Sequence, residues 1–403
     1  MLRGASLSAI IICMIEATVT TPGSDTPEQE SPASTPVPAP ASPQASERHV
    51  HTLIVGAGPS GIMAAYYAAA AGDVLMVDRF TLPRDKSCGG MIHPLSQDIF
   101  ASMGVKMPDE LLLDPDTVYF RYNDWDKNIT YDTKLGFLNV DRKPFDEWMM
   151  SLIADKAEVW DACSYCGYEA QDDGRLRVHL NARGVERVVT CDWLIGADGS
   201  RSTVRKSLGL SPFDCYLTLQ DYCLRTGPVD ATFDCFWTRE VPDLAIGYII
   251  PKNERVLVGL IYYPGTKRAH EQQDHALEVL RERLNIGESI KREAWSALKH
   301  RSASDIVAGR DRVLLTGEAG GFLSPTSGEG ISWAMDSGIS AGRAIAAGGA
   351  PAEVLARHRH DTAKLCRMIA HRLRIYPVMT SRWGKTLLGV TPKPLIETIT
   401  NHI

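Results

Sequence analysis

A chain of 403 residues with 44% hydrophobic content can bury a large core and has room for two closely packed domains. Its net charge of −6 lacks the basic excess of a nucleic-acid binder. Nine scattered cysteines, an odd number in a large chain, argue against a disulfide framework.

Met1-Leu2-Arg3 precedes an apolar stretch, Ala5 to Ile15, too short to span a bilayer. It has the charged start and apolar middle of a signal peptide, but Glu16 follows at once and no small-x-small cleavage site stands out. Thr20 to Ser46 is rich in Pro, Ser, Thr and Ala and reads as a disordered linker. Residues 1–47 are therefore expected to precede the folded chain as a disordered or signal-like extension. A cytoplasmic location is the default, with export or a peripheral tether left open.

His51 to Val55 has strand character and runs into Gly56-Ala57-Gly58-Pro59-Ser60-Gly61, then helix formers from Ile62 to Ala71. A second apolar run, Val74 to Val77, ends in Asp78-Arg79. This is strand, glycine turn, helix, strand, acid, the pattern that binds a dinucleotide. Gly56 permits the tight turn, Gly58 admits a pyrophosphate, and Gly61 lets helix pack on strand. Pro59 and Ser60 belong to the cofactor loop, and the helix that follows has free N–H groups and a dipole that favour phosphate. Asp78 falls where a carboxylate accepts from a ribose hydroxyl, with Arg79 beside it.

The loop Pro83-Arg84-Asp85-Lys86-Ser87-Cys88-Gly89-Gly90-Met91 joins two basic residues to a double glycine. Gly89-Gly90 allows positive φ and close approach to a flat ligand; Arg84 or Lys86 can neutralise a phosphate. Cys88 reads as catalytic, as a cofactor contact, or as merely small. Thr117 to Asn139 alternates as antiparallel sheet, and Arg142 stands just before a helix carrying Pro144, Asp146 and Glu147 in its first turns.

Ala157 to His179 and Val185 to Ile195 give short strands. The CxxC at Cys163 and Cys166 lies in strand-like sequence without a second metal-binding pair, so it reads as two packed or solvated thiols. The last strand ends in Gly196-Ala197-Asp198-Gly199-Ser200-Arg201, with a helix beginning near Ser202.

Phe213 to Tyr263 is a run of β-prone segments that reads as a second sheet roofing a pocket, with Gln220-Asp221, Tyr222, Trp237, Tyr248, Tyr262 and Tyr263 as candidate lining. Glu271 to Leu284 is an amphipathic helix. A third strand, Arg312 to Thr316, leads to Gly317-Glu318, then Pro325 and Gly328-Glu329-Gly330-Ile331 at the start of a helix running to about Ala347. That helix would aim its positive end at something anionic. The tail from Pro351 is basic and helical, a solvated face or a contact with an anionic membrane or partner surface.

These three motifs, in this order, resemble the FAD-dependent oxidoreductases of the para-hydroxybenzoate-hydroxylase type, over Arg48 to about Ala350. Lys86-x-Cys88-Gly89-Gly90 and Phe322-Leu323-Ser324-Pro325 resemble the geranylgeranyl-reductase-like branch, which includes monooxygenases that hydroxylate a tryptophan of a partner protein in quinone-cofactor biogenesis. Asp234 to Glu240 and Gly247 to Lys252 look like the latter group.

The resemblance implies an α/β fold: a Rossmann-like FAD-binding domain (48–115, 139–212 and 301–350), an inserted, mostly antiparallel substrate sheet (116–138 and 213–300) and C-terminal helices (351–403). It implies that Gly56, Gly58, Gly61 and Asp78 hold the ADP half of FAD, that Arg142 reaches the flavin or its phosphates, and that Asp198 and Gly199 lie by the pyrophosphate. Glu318 would bind the ribityl chain and Gly328 to Gly330 would flank the ring. Cys88, Gly89, Gly90 and Pro325 would stand nearest the chemistry.

There are two departures: Glu318 replaces the usual Asp, and Ile246 and Tyr248 stand where prenyl reductases carry tyrosine and tryptophan. The leading expectation is hydroxylation of an aromatic substrate, a small molecule or a partner's side chain, through a flavin hydroperoxide. The electron donor would be NAD(P)H or another external reductant. The alternatives are reduction of isoprenoid double bonds, and a non-catalytic flavin-binding accessory protein.

Overall fold

A computed structural model of the chain describes residues 48–380, with side chains to residue 377. The expected extension at 1–47, and the tail residues Arg382 and Lys385, lie outside the described residues.

β1 (Arg48–Val55) leads through the glycine turn into α1 (Pro59–Ala68) and returns as β2 (Val74–Val77), four buried apolar residues. β3 (Met91–Ile92) and α2 (Pro94–Ser102) precede a long antiparallel hairpin of β4 (Leu112–Asp124) and β5 (Ile129–Val140). α3 (Arg142–Ser151) follows, with Arg142 as its first helical residue and not, as expected, the residue ahead of the helix. Then come β6 (Glu158–Trp160), the hairpin β7 (Cys163–Ala170) and β8 (Leu176–Ala182), and β9 (Val185–Gly196).

After α4 (Thr203–Ser207) come β10 (Asp214–Arg225), β11 (Thr232–Trp237), β12 (Leu244–Lys252) and β13 (Arg255–Tyr262). α5 (Ala269–Arg283) and the 14-residue β14 (Ile286–Lys299) complete this part. β15 (Gly309–Arg310), β16 (Val313–Leu315), the short α6 (Gly317–Gly320), α7 (Ile331–Ala346) and α8 (Pro351–Thr380) close the described chain.

Among the described residues the strands form two eight-stranded sheets. The first runs β15-β16-β9-β1-β2-β6, with β8 and β7 attached through β9. β16, β9, β1, β2 and β6 are parallel. β9 is long because one edge serves two partners, β8 along its first half and β16 at its end, while β1 lines the other edge. Parallel strands place their C-terminal ends on one side, where open α/β sheets bind ligands. Val55, Val77, Gly196 and Leu315 all end there.

The second sheet runs β14-β10-β13-β12-β11-β4-β5-β3 and is antiparallel except between β11 and β4. Met91–Ile92, expected in the cofactor half, forms its edge by pairing with β5. Helices α1, α3 and α7 bury the apolar side of the first sheet around Ile62, Phe145, Met149 and Met335. α5 covers one face of the second sheet through Ala276, Leu277 and Leu280. The opposite face carries Phe137, Tyr222, Tyr248, Ile250 and Leu257 and turns toward the 84–90 loop.

Candidate functional site

The glycine turn is closed by contacts that only hydrogen can fill. Gly56 adopts φ +109° and donates to Val77 O at 2.8 Å. A Cβ there would strike the Ala197 carbonyl, and one on Gly61 would strike the Gly56 carbonyl. Gly58 differs: its nearest neighbour on the Cβ side is Arg84 Nη2 at 3.8 Å. Two glycines therefore fold the turn, and the third leaves its face accessible. Gly58 caps α1 without a side-chain bond, and Pro59 is the first helical residue. The first-turn amides are left for an anion. Ser60 is buried and its hydroxyl makes no hydrogen bond.

Asp78 ties this turn to the end of β2. Its carboxylate accepts from the amides of Ala57 and Phe80, each at 2.9 Å. Arg79 is exposed and lies over the Phe80 ring, outside this junction. Arg84 points inward: its guanidinium is 3.8 Å from Asp78 and stacks over Phe80 and Trp295, yet Nε and Nη1 are buried without a hydrogen bond. A buried cation left so is costly unless something anionic completes it. Lys86 lies 3.7 Å from Glu318; burial lowers its pKa against the pull of that carboxylate, and Arg142 and Arg84 add to the lowering. Glu318 also accepts from Leu298 N at 3.1 Å, which joins the third strand end to β14.

Asp198 has a local task. It accepts from the Ser202 hydroxyl at 2.5 Å and from the amides of Thr203 and Val204, so it caps α4. Gly199, at φ +79°, has no atom within 4 Å of its Cβ position.

The 84–90 loop rests on the inner face of the second sheet. A Cβ on Gly89 would lie 2.9 Å from Ile250 Cδ1. Gly90, at φ +66°, would meet the Val140 carbonyl and, at 3.0 Å, Lys252 Nζ. Its amide reaches Cys88 Sγ at 3.5 Å. Arg142 is buried and grips Asp146 through two bonds of 3.0 and 2.9 Å. Burial opposes its charge, but Asp146 and the neighbouring Cys88 outweigh it and hold the pKa above its usual value.

Tyr248 donates to Gln220 at 2.9 Å, and Gln220 donates to Glu293 at 2.7 Å. A 160 Å³ cavity beside them is lined by Lys86, Arg142, Lys143, Tyr222, Arg255 and Lys291, among others.

Strand alternation splits the expected lining. Gln220, Tyr222 and Tyr248 share the inner face, whereas Asp221 and Tyr262 face α5, each bonded to Gln273. Trp237 lies under Arg239 at the end of β11, and Tyr263 sits by Tyr216. Lys252, outside the expected lining, shares the inner face. The Tyr248, Ile250, Lys252 alternation was its signal.

In the third motif Gly328, at φ +68°, donates to Ser324 O at 3.0 Å, closing a turn that holds half-buried Pro325. Gly330 caps α7 ahead of buried Ile331. Glu329 accepts from Ser332 N at 2.9 Å, so the first turn of α7 already holds a carboxylate of its own chain. Arg372 of α8 braces the turn by donating to Ser324 Oγ at 2.7 Å.

Cys163 is buried and Cys166 exposed, both as free thiols. Among the described residues no group of three or more His, Cys, Asp or Glu side chains is placed to hold a metal ion. No described helix is long and apolar enough to cross a membrane.

The two unbonded donors of Arg84, the unpartnered Ser60 hydroxyl and the two closed glycines fit a dinucleotide laid across the ends of β1, β2 and β16. The family described as FAD binding domain matches residues 49–370. The chain belongs to this family of flavoprotein oxidoreductases, of the para-hydroxybenzoate-hydroxylase type.

Protein CbrA of Escherichia coli O9:H4 (strain HS) is 29% identical to this flavoprotein over 299 residues, 72% of this chain and 79% of the relative. A geranylgeranyl bacteriochlorophyll reductase-like protein from Thermoplasma acidophilum superposes with TM-score 0.70 at 18% identity, over 88% of this chain and 91% of its own. Aklavinone-11 hydroxylase, solved with FAD and aklavinone, superposes with TM-score 0.59 at 17% identity, over 75% of this chain and 63% of its own. At these identities the two structures share the fold of this flavoprotein.

Proposed function

We propose that this flavoprotein is a monooxygenase acting on an aromatic group, presented by a small molecule or by a partner protein. The observation that carries the reading is the wall facing Cys88-Gly89-Gly90. Phe137, Tyr222, Tyr248 and Ile250 form a buried, largely aromatic surface in which the Tyr248 hydroxyl is tied to Gln220. Such a wall stacks on a flat ring and excludes water.

FAD, when bound, supplies the two-electron and oxygen chemistry. The chain's own residues orient it. Arg84 and the α1 amides would hold its phosphates; Lys86, Arg142 and Glu318 would hold the middle of the molecule; and the Gly89-Gly90 backbone and the turn around Pro325 would bound its ring. The overall reaction takes substrate, O₂, NAD(P)H and a proton to hydroxylated substrate, water and NAD(P)⁺. The test is substrate-stimulated NAD(P)H oxidation by the FAD-loaded protein. One ¹⁸O atom from ¹⁸O₂ is expected in the product; NAD(P)H consumption that yields only hydrogen peroxide with every aromatic tried would overturn the reading.

A second reading rests on Cys88, which sits beside Arg142 against the same wall. There the thiol would stand near an isoprenoid double bond that gains two hydrogens from NAD(P)H and a proton. Anaerobic saturation of a prenyl chain, reduced in a Cys88→Ser variant, would favour it.

A further inference from the structure

Lys252 ends β12 on the inner face of the second sheet, two residues beyond Ile250. It is 1% exposed. Its Nζ donates to Val140 O at 2.6 Å, the carbonyl against which Gly90 is pressed. Val140 N in turn donates to Gly90 O at 3.0 Å. Amine, carbonyl and glycine thus form one joint between the second sheet and the loop of Cys88. Asn139 locks the same joint, donating to Pro115 O at 2.9 Å and Pro251 O at 2.8 Å.

An aliphatic side chain would fill this apolar wall at lower cost than an ammonium. The charged groups around Lys252 come from three elements. Asp141 at the start of α3 and Cys88 on the loop favour its protonated form, while Arg255 of β13 opposes it. Burial, aided by Arg255, outweighs Asp141 and Cys88 and brings the pKa down to about 7.

We propose that Lys252 is a positioning residue that couples a proton to the redox state of the bound flavin, through the joint it makes with Val140 and Gly90. This rests on the flavoprotein reading. Two electrons from dithionite and one proton entering the flavin leave it one negative charge. A second proton then enters on the Lys252 amine and balances that charge. By reciprocity, protonated Lys252 favours the reduced cofactor.

The experiment measures the midpoint potential of the FAD-loaded protein from pH 5.5 to 9 for wild type, Lys252→Met and Lys252→Arg. Wild type is expected to exceed Lys252→Met by about a tenfold preference for reduced flavin below pH 7, about 30 mV for a two-electron couple. The excess should fade above pH 7. Lys252→Arg, which stays charged, should keep its excess across the range. A wild-type excess that does not change with pH, or an arginine variant that falls in step with wild type, overturns the proposal. If Lys252→Met does not fold, the arginine comparison decides alone. A wild-type protein that acquires no flavin absorbance with added FAD defeats the flavoprotein reading instead.

Discussion

The glycine turn at 56–61 and the inner face of the second sheet meet across the Cys88-Gly90 loop but are built from opposite materials. The turn is backbone: Gly56 and Gly61 are pinned by carbonyl oxygens, and what it offers a ligand is amides and one guanidinium with two unbonded donors. The wall is side chain: a relay from Tyr248 through Gln220 to Glu293, and an amine at Lys252. Backbone sites admit few residues and recognise what is common to all dinucleotides. Side-chain walls admit many residues and set what is particular to one substrate.

The sharpest way to break this contrast lies within the turn. Gly61→Ala puts a methyl into the Gly56 carbonyl. It is expected to abolish flavin retention on purification, with loss of at least about 100-fold in affinity and a lowered melting temperature. Gly58→Ala meets nothing closer than 3.8 Å at φ −91°. It should melt as wild type does and still bind FAD at least about tenfold more weakly, because the methyl occupies the approach of the pyrophosphate. Equal effects of the two substitutions on melting would show that Gly58 also serves the fold.

That asymmetry also explains what was legible in the sequence. Gly56 and Gly61 could be read because a backbone constraint names its residue, whereas the bonds of Asp78 to the Ala57 and Phe80 amides could not. Asp198 could be found but not assigned: a carboxylate at a strand end suits a ligand or a helix cap equally, and Ser202 four residues on decides for the cap. Gln220-Asp221 read as one polar pair, although neighbours in a strand must face opposite ways. Lys252 was passed over because a lysine in a strand reads as solvent-facing, and its burial depends on Val140 and Gly90, more than 100 residues away. Sequence patterning is local; the joint between the second sheet and the Cys88 loop is not.

Titration separates the two halves next. His358, buried under α7, bonds to Ser340 and Leu315 O in its neutral form, and burial brings its pKa down from 6.5 to about 4. The unfolded chain takes up that proton first, so stability is expected to fall as pH drops from 6.5 to 4, by about 3 kcal/mol from this residue. A His358→Gln variant should lose that slope in denaturant melts. Lys252, with its pKa down from 10.5 to about 7, acts in another window. Its unfolded form holds the extra proton between pH 7 and 10.5, so stability rises with pH there, and Lys252→Met should flatten that rise. A single shared window would contradict this division.

Arg84 tests whether the cofactor half carries a stored cost. Arg84→Met removes a guanidinium whose Nε and Nη1 are buried and unbonded. The protein without FAD should lose little in melting temperature, because no hydrogen bond is lost and removal of two buried, unbonded donors offsets the lost 3.8 Å contact with Asp78 and the stacking on Phe80 and Trp295. FAD affinity should fall about 30-fold, about 2 kcal/mol. Isothermal titration with FAD and a thermal melt without it read the two sides separately. Parallel losses in both would make Arg84 an ordinary structural residue.

The wall should behave the other way round. Tyr248→Phe deletes the donor to Gln220 Oε1 and leaves a fully buried acceptor unpaired, which should cost the fold about 1–2 kcal/mol. FAD affinity should not change with it, since the lost bond runs sideways within the sheet. Adding Gln220→Leu removes the orphaned acceptor, and Glu293 keeps Lys291 at 2.7 Å. The double variant should therefore regain most of the loss in denaturant melts, as expected when both partners of a buried bond are replaced by apolar groups. If the two losses simply add, the relay does not act as a unit. The wall would then be a set of separate contacts, each free to vary with the ring it meets.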